Sequence, residues 1–251
     1  MPAAFYQERL LKFVKNYSTP PKYLFVIFSF QLIDGAPGTG RTQFVLQLAA
    51  NCHIPATFNG LDGEALFIDT EGSFSAARLG EIAAGLEDGY GVKRAAVLAG
   101  THVLHVASWA ELLAGVYALP RLLDARPRVR LVVIDSITFP MHAADPSGNR
   151  TRAVAAMMQV LCRVAWERGL VVAVTNHLTT RVDGAASLQV PSLGEGFGHS
   201  STYRLRFFWS HFTRCIGVDK TPVITDAAAG PRVPIAFVIE QSGLKSVDIK
   251  S

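Results

Sequence analysis

The sequence predicts an α/β fold, a mostly parallel twisted sheet flanked by helices with antiparallel strands at one edge. Three observations carry that prediction. Apolar runs of strand length recur at Phe30–Ile33, Ala65–Asp69, Val103–Ala107, Leu131–Asp135 and Leu170–Thr175, and such continuous runs belong to strands buried on both faces. Helical patterns lie between them at Ala76–Leu86, Ala110–Leu123 and Thr151–Arg168, and strands alternating with helices imply a parallel sheet. The pattern changes after Asn176 to a glycine- and serine-rich stretch, then to shorter strands at Tyr203–Trp209, Cys215–Asp219 and Ile235–Glu240, which are expected to extend the sheet in antiparallel fashion.

Composition bounds the rest. With 251 residues, 49% hydrophobic and 18% charged, the chain can close one large core. Cys52, Cys162 and Cys215 lie far apart with no Cys-x-x-Cys spacing, which argues against a disulfide framework and a zinc site. The 24 basic and 20 acidic residues leave a charge of +4, compatible with an anionic partner but too mild to demand one. The longest apolar run, Tyr23 to Ile33, is shorter than the roughly 20 residues of a membrane helix, so no membrane partner is expected. Residues 1–28 fit the pattern poorly and are set apart as an N-terminal extension, with the core over 29–251.

Within that core, the first strand runs into a glycine-rich turn and then a helix whose Val45, Leu48, Ala49 and Cys52 repeat at i, i+3, i+4 and i+7. The turn, Gly35-Ala36-Pro37-Gly38-Thr39-Gly40-Arg41-Thr42, matches the phosphate loop G-x-x-x-x-G-K-[ST] except that Arg41 stands for the lysine. Glycines let backbone N–H groups close around a phosphate, the helix N-terminus adds partial positive charge, and the Thr42 hydroxyl can ligate Mg²⁺. Leu131-Val132-Val133-Ile134-Asp135 is an apolar strand ending in a carboxylate able to hold the same ion. Glu71, just after the strand ending at Asp69, is placed to polarise a water.

Together these pieces resemble the RecA-type recombinase family, and so imply a RecA-like nucleotide-hydrolysing core. The run Asp69-Thr70-Glu71-Gly72-Ser73-Phe74 with Arg78-Leu79 resembles its eukaryotic branch. The stretches Trp109–Ala114, Val116–Pro120, Ile137–Pro140, Leu193–Glu195 and Gly198-His199 most resemble the C-type recombinase paralogue. The resemblance implies ATP and Mg²⁺ as cofactors, Glu71 and Asp135 as catalytic residues, and Thr42 with Asp135 at the metal. It implies nucleotide contacts from Gly35 through Thr42, from His177 at a strand end that senses the γ-phosphate, and from His199 across a subunit interface. DNA, single-stranded or branched, would pass two loops, His142–Arg152 with Arg150 and Arg152, and Thr179–Gly198 with Thr180 and Arg181. Partners by the same resemblance are other recombinase paralogues and the strand-exchange recombinase, and the compartment is the nucleus.

Two departures bear on activity. Arg41 replaces a compact ammonium with a broad planar guanidinium, so nucleotide binding with slowed hydrolysis is expected, and restoring lysine is expected to raise turnover. His177 stands where the family usually has glutamine. Two leading readings follow: an ATP-binding, DNA-binding paralogue assisting strand exchange in homologous-recombination repair, and a non-hydrolysing scaffold in which nucleotide stabilises a partner-binding fold. A helicase- or transporter-like motor would share the phosphate loop but not the paralogue-like stretches.

Overall fold

A computed structural model describes residues 30–141, 150–183, 186–192, 201–220 and 234–247. In chain order the elements are β1 (Phe30–Gly35), α1 (Arg41–Asn51), β2 (Glu64–Asp69), α2 (Ala76–Tyr90), α3 (Arg94–Ala99), β3 (Thr101–His105), α4 (Trp109–Asp124), β4 (Val129–Asp135), α5 (Arg150–Arg168), β5 (Val171–Asp183), β6 (Ala186–Pro191), β7 (Tyr203–Ser210), β8 (Thr213–Lys220), β9 (Ile235–Glu240) and β10 (Gly243–Ser246).

One sheet runs through the molecule in the order β10-β9-β8-β7-β1-β5-β4-β2-β3, with β6 paired to β5 alone. The apolar runs produce it because successive side chains on a strand point to opposite faces. Ile33, Phe67, Leu131, Val133, Val171 and Ala173 pack under α1, α2 and α3 with Phe44, Leu48, Leu79 and Ile82. Their neighbours Leu32, Leu66, Ile68, Val132, Ile134, Val172 and Val174 enter a second core with Leu112, Val116, Met157 and Leu161 of α4 and α5. A strand with a core on each face has no room for polar alternation.

The structure corrects the strand at Tyr203–Trp209. β7 pairs parallel with β1 (Ile33 beside Leu205), and the antiparallel edge begins only at β8. It then continues through β9 and β10. The strand expected at Val103–Ala107 lies two residues earlier, at Thr101–His105. β5 continues past Thr175 to Asp183, because beyond His177 it leaves β1 and folds back as a hairpin with β6. Arg150 and Arg152, expected in a loop, belong to the first turn of α5. Of that loop, residues 142–149 lie outside the described residues. Among the described residues, no helix is long and apolar enough to cross a membrane.

Two helix starts are set by short polar side chains. Ser75 Oγ accepts from Arg78 N at 3.2 Å at the head of α2. At the head of α4, Ser108 Oγ accepts from Glu111 N at 3.2 Å while Glu111 Oε2 accepts from Ala107 N at 2.9 Å. The two serine bonds satisfy backbone donors that a helix N-terminus leaves without intrahelical acceptors, and the Glu111 bond ties the residue before the cap to the first turn of α4.

Candidate nucleotide site

The carboxyl ends of β1, β2, β4 and β5 meet at one edge of the sheet, where open α/β folds place their ligands. β1 delivers the glycine-rich turn. Gly38 and Gly40 have φ of 77° and 103°, in the left-handed region where glycine costs nothing sterically. Gly40 is also the N-cap of α1 and gives it no side-chain cap, so the first N–H groups of that helix, Arg41 and Thr42 among them, keep their donors for a ligand. A Cβ built on Gly38 would meet no atom within 4 Å, so the crest of the loop opens onto free space. Thr39 Oγ1 donates to Ala36 O at 2.7 Å and Arg214 Nε to Gly38 O at 3.2 Å, which hold the turn from inside and outside.

Thr42 and Asp135 come together as the sequence predicts: Thr42 Oγ1 donates to Asp135 Oδ2 at 2.7 Å. Thr175 Oγ1 donates to the other oxygen, and Ser73 Oγ to Oδ2 at 3.2 Å. Burial raises the Asp135 carboxyl above its ordinary value, the Thr175 and Thr42 hydrogen bonds work against that, and the charge of Glu71 adds to it. A hydroxyl beside a carboxylate is the hard oxygen set that Mg²⁺ prefers, so these residues fit a divalent cation. Among the described residues, no three His, Cys, Asp or Glu side chains cluster as a metal site. A cation here would therefore take further oxygens from phosphate and water.

Glu71 sits in a loop wound on one buried carboxylate. Asp69 accepts from Glu71 N at 3.3 Å, Ser73 N at 3.1 Å and Phe74 N at 3.2 Å. Thr70 ties the loop to β4, taking a hydrogen bond from Ser136 N at 2.8 Å and giving one to Ser136 O at 2.6 Å. Burial alone would raise the Glu71 carboxyl, but hydrogen bonds from His177 and Ser136 and the positive charge of Arg41 outweigh it and hold it below the ordinary value. It is thereby kept ionised, the form that accepts a proton from water.

Arg41 does not follow the loop. Its NH1 donates to Asn176 O at 2.8 Å and its NH2 contacts His177 Nδ1 at 3.2 Å, both at the end of β5. His177 Nε2 lies 2.6 Å from Glu71 Oε1. Deeper in, Asp34 takes hydrogen bonds from Asn176 Nδ2 and Arg204 Nε, each at 2.6 Å.

The structure thus gathers Gly35 through Thr42, Glu71, Asp135 and His177 in one place. Of the two hydroxyls that hold Asp135 beside Thr42, Ser73 enters the sequence reading only within the run Asp69–Phe74, with no role assigned, and Thr175 is an ordinary strand threonine until β5 is set beside β4. Arg78, named in the sequence only as part of the resemblance, spans from Gln43 Oε1 (2.7 Å) beside the phosphate loop to the carbonyls of Glu240 (2.6 Å) and Gln241 (2.7 Å). Arg152 and Thr180 are exposed, near the start of α5 and on β5 beyond the sheet, and Arg181 pairs with Leu188 in the β5–β6 hairpin. None of these touches the candidate site through a described contact. His199 lies outside the described residues, as do residues 193–200 of the second loop.

The family model described as Rad51 matches residues 27–247. The chain is 36% identical over 213 residues to DNA repair protein RAD51 homolog 3 from Cricetulus griseus, covering 76% of this chain and 57% of that protein. To the protein of the same name from Dictyostelium discoideum it is 33% identical over 207 residues, covering 76% and 54%. To DNA repair protein RAD51 from Saccharomyces cerevisiae it is 30% identical over 223 residues, covering 82% and 51%. The chain spans about half the length of these curated relatives.

Proposed function

The chain belongs to the Rad51 family, and from that premise we propose that it is a recombinase paralogue that binds ATP with Mg²⁺, binds single-stranded or branched DNA, and assists strand exchange in homologous-recombination repair in the nucleus. Its partners would be other paralogues and the strand-exchange recombinase. The core of residues 29–251, with residues 1–28 as an extension, is part of the same proposal.

The observation that carries the nucleotide reading is the 2.7 Å hydrogen bond between Thr42 Oγ1 and Asp135 Oδ2 beneath the open phosphate loop, with Glu71 at the neighbouring strand end. In this reading the loop amides and the head of α1 bind the phosphates, and Thr42 and Asp135 hold Mg²⁺, which neutralises phosphate charge. Glu71 orients water and accepts its proton. DNA would lie along the start of α5 and the β5–β6 hairpin, which leave the sheet from adjacent strands, β4 and β5, at the nucleotide edge. His177 stands where β5 passes from sheet to hairpin, so events at Glu71 reach the hairpin through one residue.

Turnover of ATP by the purified protein, with and without single-stranded DNA, tests the reading. DNA-stimulated turnover lost in Glu71→Gln, with nucleotide binding retained, is the expected result. The scaffold reading is favoured by one observation, the engagement of Arg41 by Asn176 O and His177 away from the phosphate loop. Nucleotide binding without turnover in either protein would select it.

A further inference from the structure

We propose that His177 is a positioning residue that couples Arg41 to Glu71, so that the unusual cation of the phosphate loop and the water-polarising carboxylate act as one unit. The roles of the ring nitrogens follow from their partners. A guanidinium has only donors to offer, so Nδ1, at 3.2 Å from Arg41 NH2, presents its lone pair. The ring proton is then on Nε2, where it is donated to Glu71 Oε1 at 2.6 Å. One imidazole thus joins a cation on one side to a carboxylate on the other, with its tautomer fixed by both.

The rest of the site locks this arrangement. His177 N donates to Thr138 Oγ1 at 3.1 Å, and His177 O accepts from Ser192 N at 3.0 Å and Ser192 Oγ at 2.8 Å. The backbone that carries the ring is therefore pinned from the segment after β4 and from the end of the hairpin. Arg41 reaches both Asn176 O and Nδ1 because its planar fork offers two separated donors. A lysine ammonium is a single point and is not preorganised to span both acceptors.

This geometry reverses an expectation drawn from the loop alone. Arg41→Lys restores the phosphate-loop lysine, but it leaves Nδ1 without its donor, frees the tautomer and loosens the hold on Glu71. Turnover should fall, not rise. The coupling itself does not require hydrolysis; only the kinetic arm of the test rests on the reading of the site as an ATPase.

The first arm is nuclear magnetic resonance of full-length protein labelled with ¹⁵N-histidine, with His177→Phe used to assign the signal. Wild type should show a bare Nδ1 and a protonated Nε2 at residue 177, and Arg41→Lys should disturb that pattern. A protonated Nδ1 in wild type, or a pattern unchanged in Arg41→Lys, overturns the proposal whether or not the protein hydrolyses ATP. The second arm is a double-mutant cycle in kcat at saturating ATP. Arg41→Lys and His177→Phe should each lower kcat about tenfold with little change in KM, and the double variant should fall no further than either alone. Independent effects multiplying to about a hundredfold would overturn it. If wild type proves silent as an ATPase while the tautomer responds to Arg41→Lys, the coupling stands and the hydrolytic reading falls.

Discussion

Asp34, at the end of β1 just before the phosphate loop, is 1% exposed, and two hydrogen bonds account for how it is tolerated. Burial raises its carboxyl above the ordinary 3.8, against the lowering influence of Arg204 and Asn176. The folded chain therefore holds this proton more tightly than the unfolded one, and the associated stability is present below the ordinary value and lost as pH rises through the folded one. Measured against Asp34→Asn by urea unfolding at a series of pH values, wild type should lose relative stability over that rise; a difference independent of pH would show that Asp34 titrates alike in both states. Removing the guanidinium leaves the carboxylate buried with Asn176 as its remaining described partner. Arg204→Met should cost about 3 kcal/mol at neutral pH, and much less in an Asp34→Asn background.

At the scale of elements, what the sequence made legible depended on burial. β2 and β4 sit inside the sheet with a core on each face, so their apolar runs marked them to within two residues. β3 is at the edge and half-exposed along Val103 and Leu104, so its pattern blurred and its start was displaced. α3 and β10 are too short, at 6 and 4 residues, to show a period. The direction of β7 is not in its pattern, since strand patterns carry no direction; only its pairing beside β1 supplies it. The candidate site was legible where a spacing encodes it, as in the phosphate loop, and illegible where it depends on side-chain direction, as in the turn of Arg41 toward β5. Ser108→Ala removes one half of the α4 cap and should cost about 1 kcal/mol, seen as a melting temperature lower by about 3 °C. For DNA, replacing Arg150, Arg152 and Arg181 with alanine should weaken single-stranded binding and lower the slope of log affinity against log salt by about 0.7 for each phosphate that is no longer neutralised. An unchanged slope would place the strand elsewhere on the molecule.

Across the whole molecule, the edge that carries the candidate site joins elements that are far apart in the chain. β1 brings the loop, β2 the Glu71 turn, β4 Asp135, and β5 His177, while Arg78 of α2 reaches the turn between β9 and β10. A ligand held by the loop amides, Thr42 and Asp135 would therefore bind only the assembled sheet and not the unfolded chain, and binding of that kind stabilises the fold by mass action. At a concentration a hundred times its dissociation constant, Mg²⁺ with ATP should add about 2.7 kcal/mol, which for a chain of this size corresponds to a melting temperature higher by roughly 5–10 °C. Thr42→Ala removes the hydroxyl that meets Asp135 Oδ2 and should abolish most of the magnesium-dependent part of that gain. Glu71→Gln, which leaves the loop, Thr42 and Asp135 intact, should keep it. Thermal unfolding of the three proteins with nucleotide alone, metal alone and both together separates the roles, because in the proposed reading binding and hydrolysis would draw on different residues at the same edge. Equal gains in wild type and Thr42→Ala would mean that the nucleotide does not depend on the Thr42–Asp135 pair, and the site would have to be sought away from the carboxyl ends of β1 and β4.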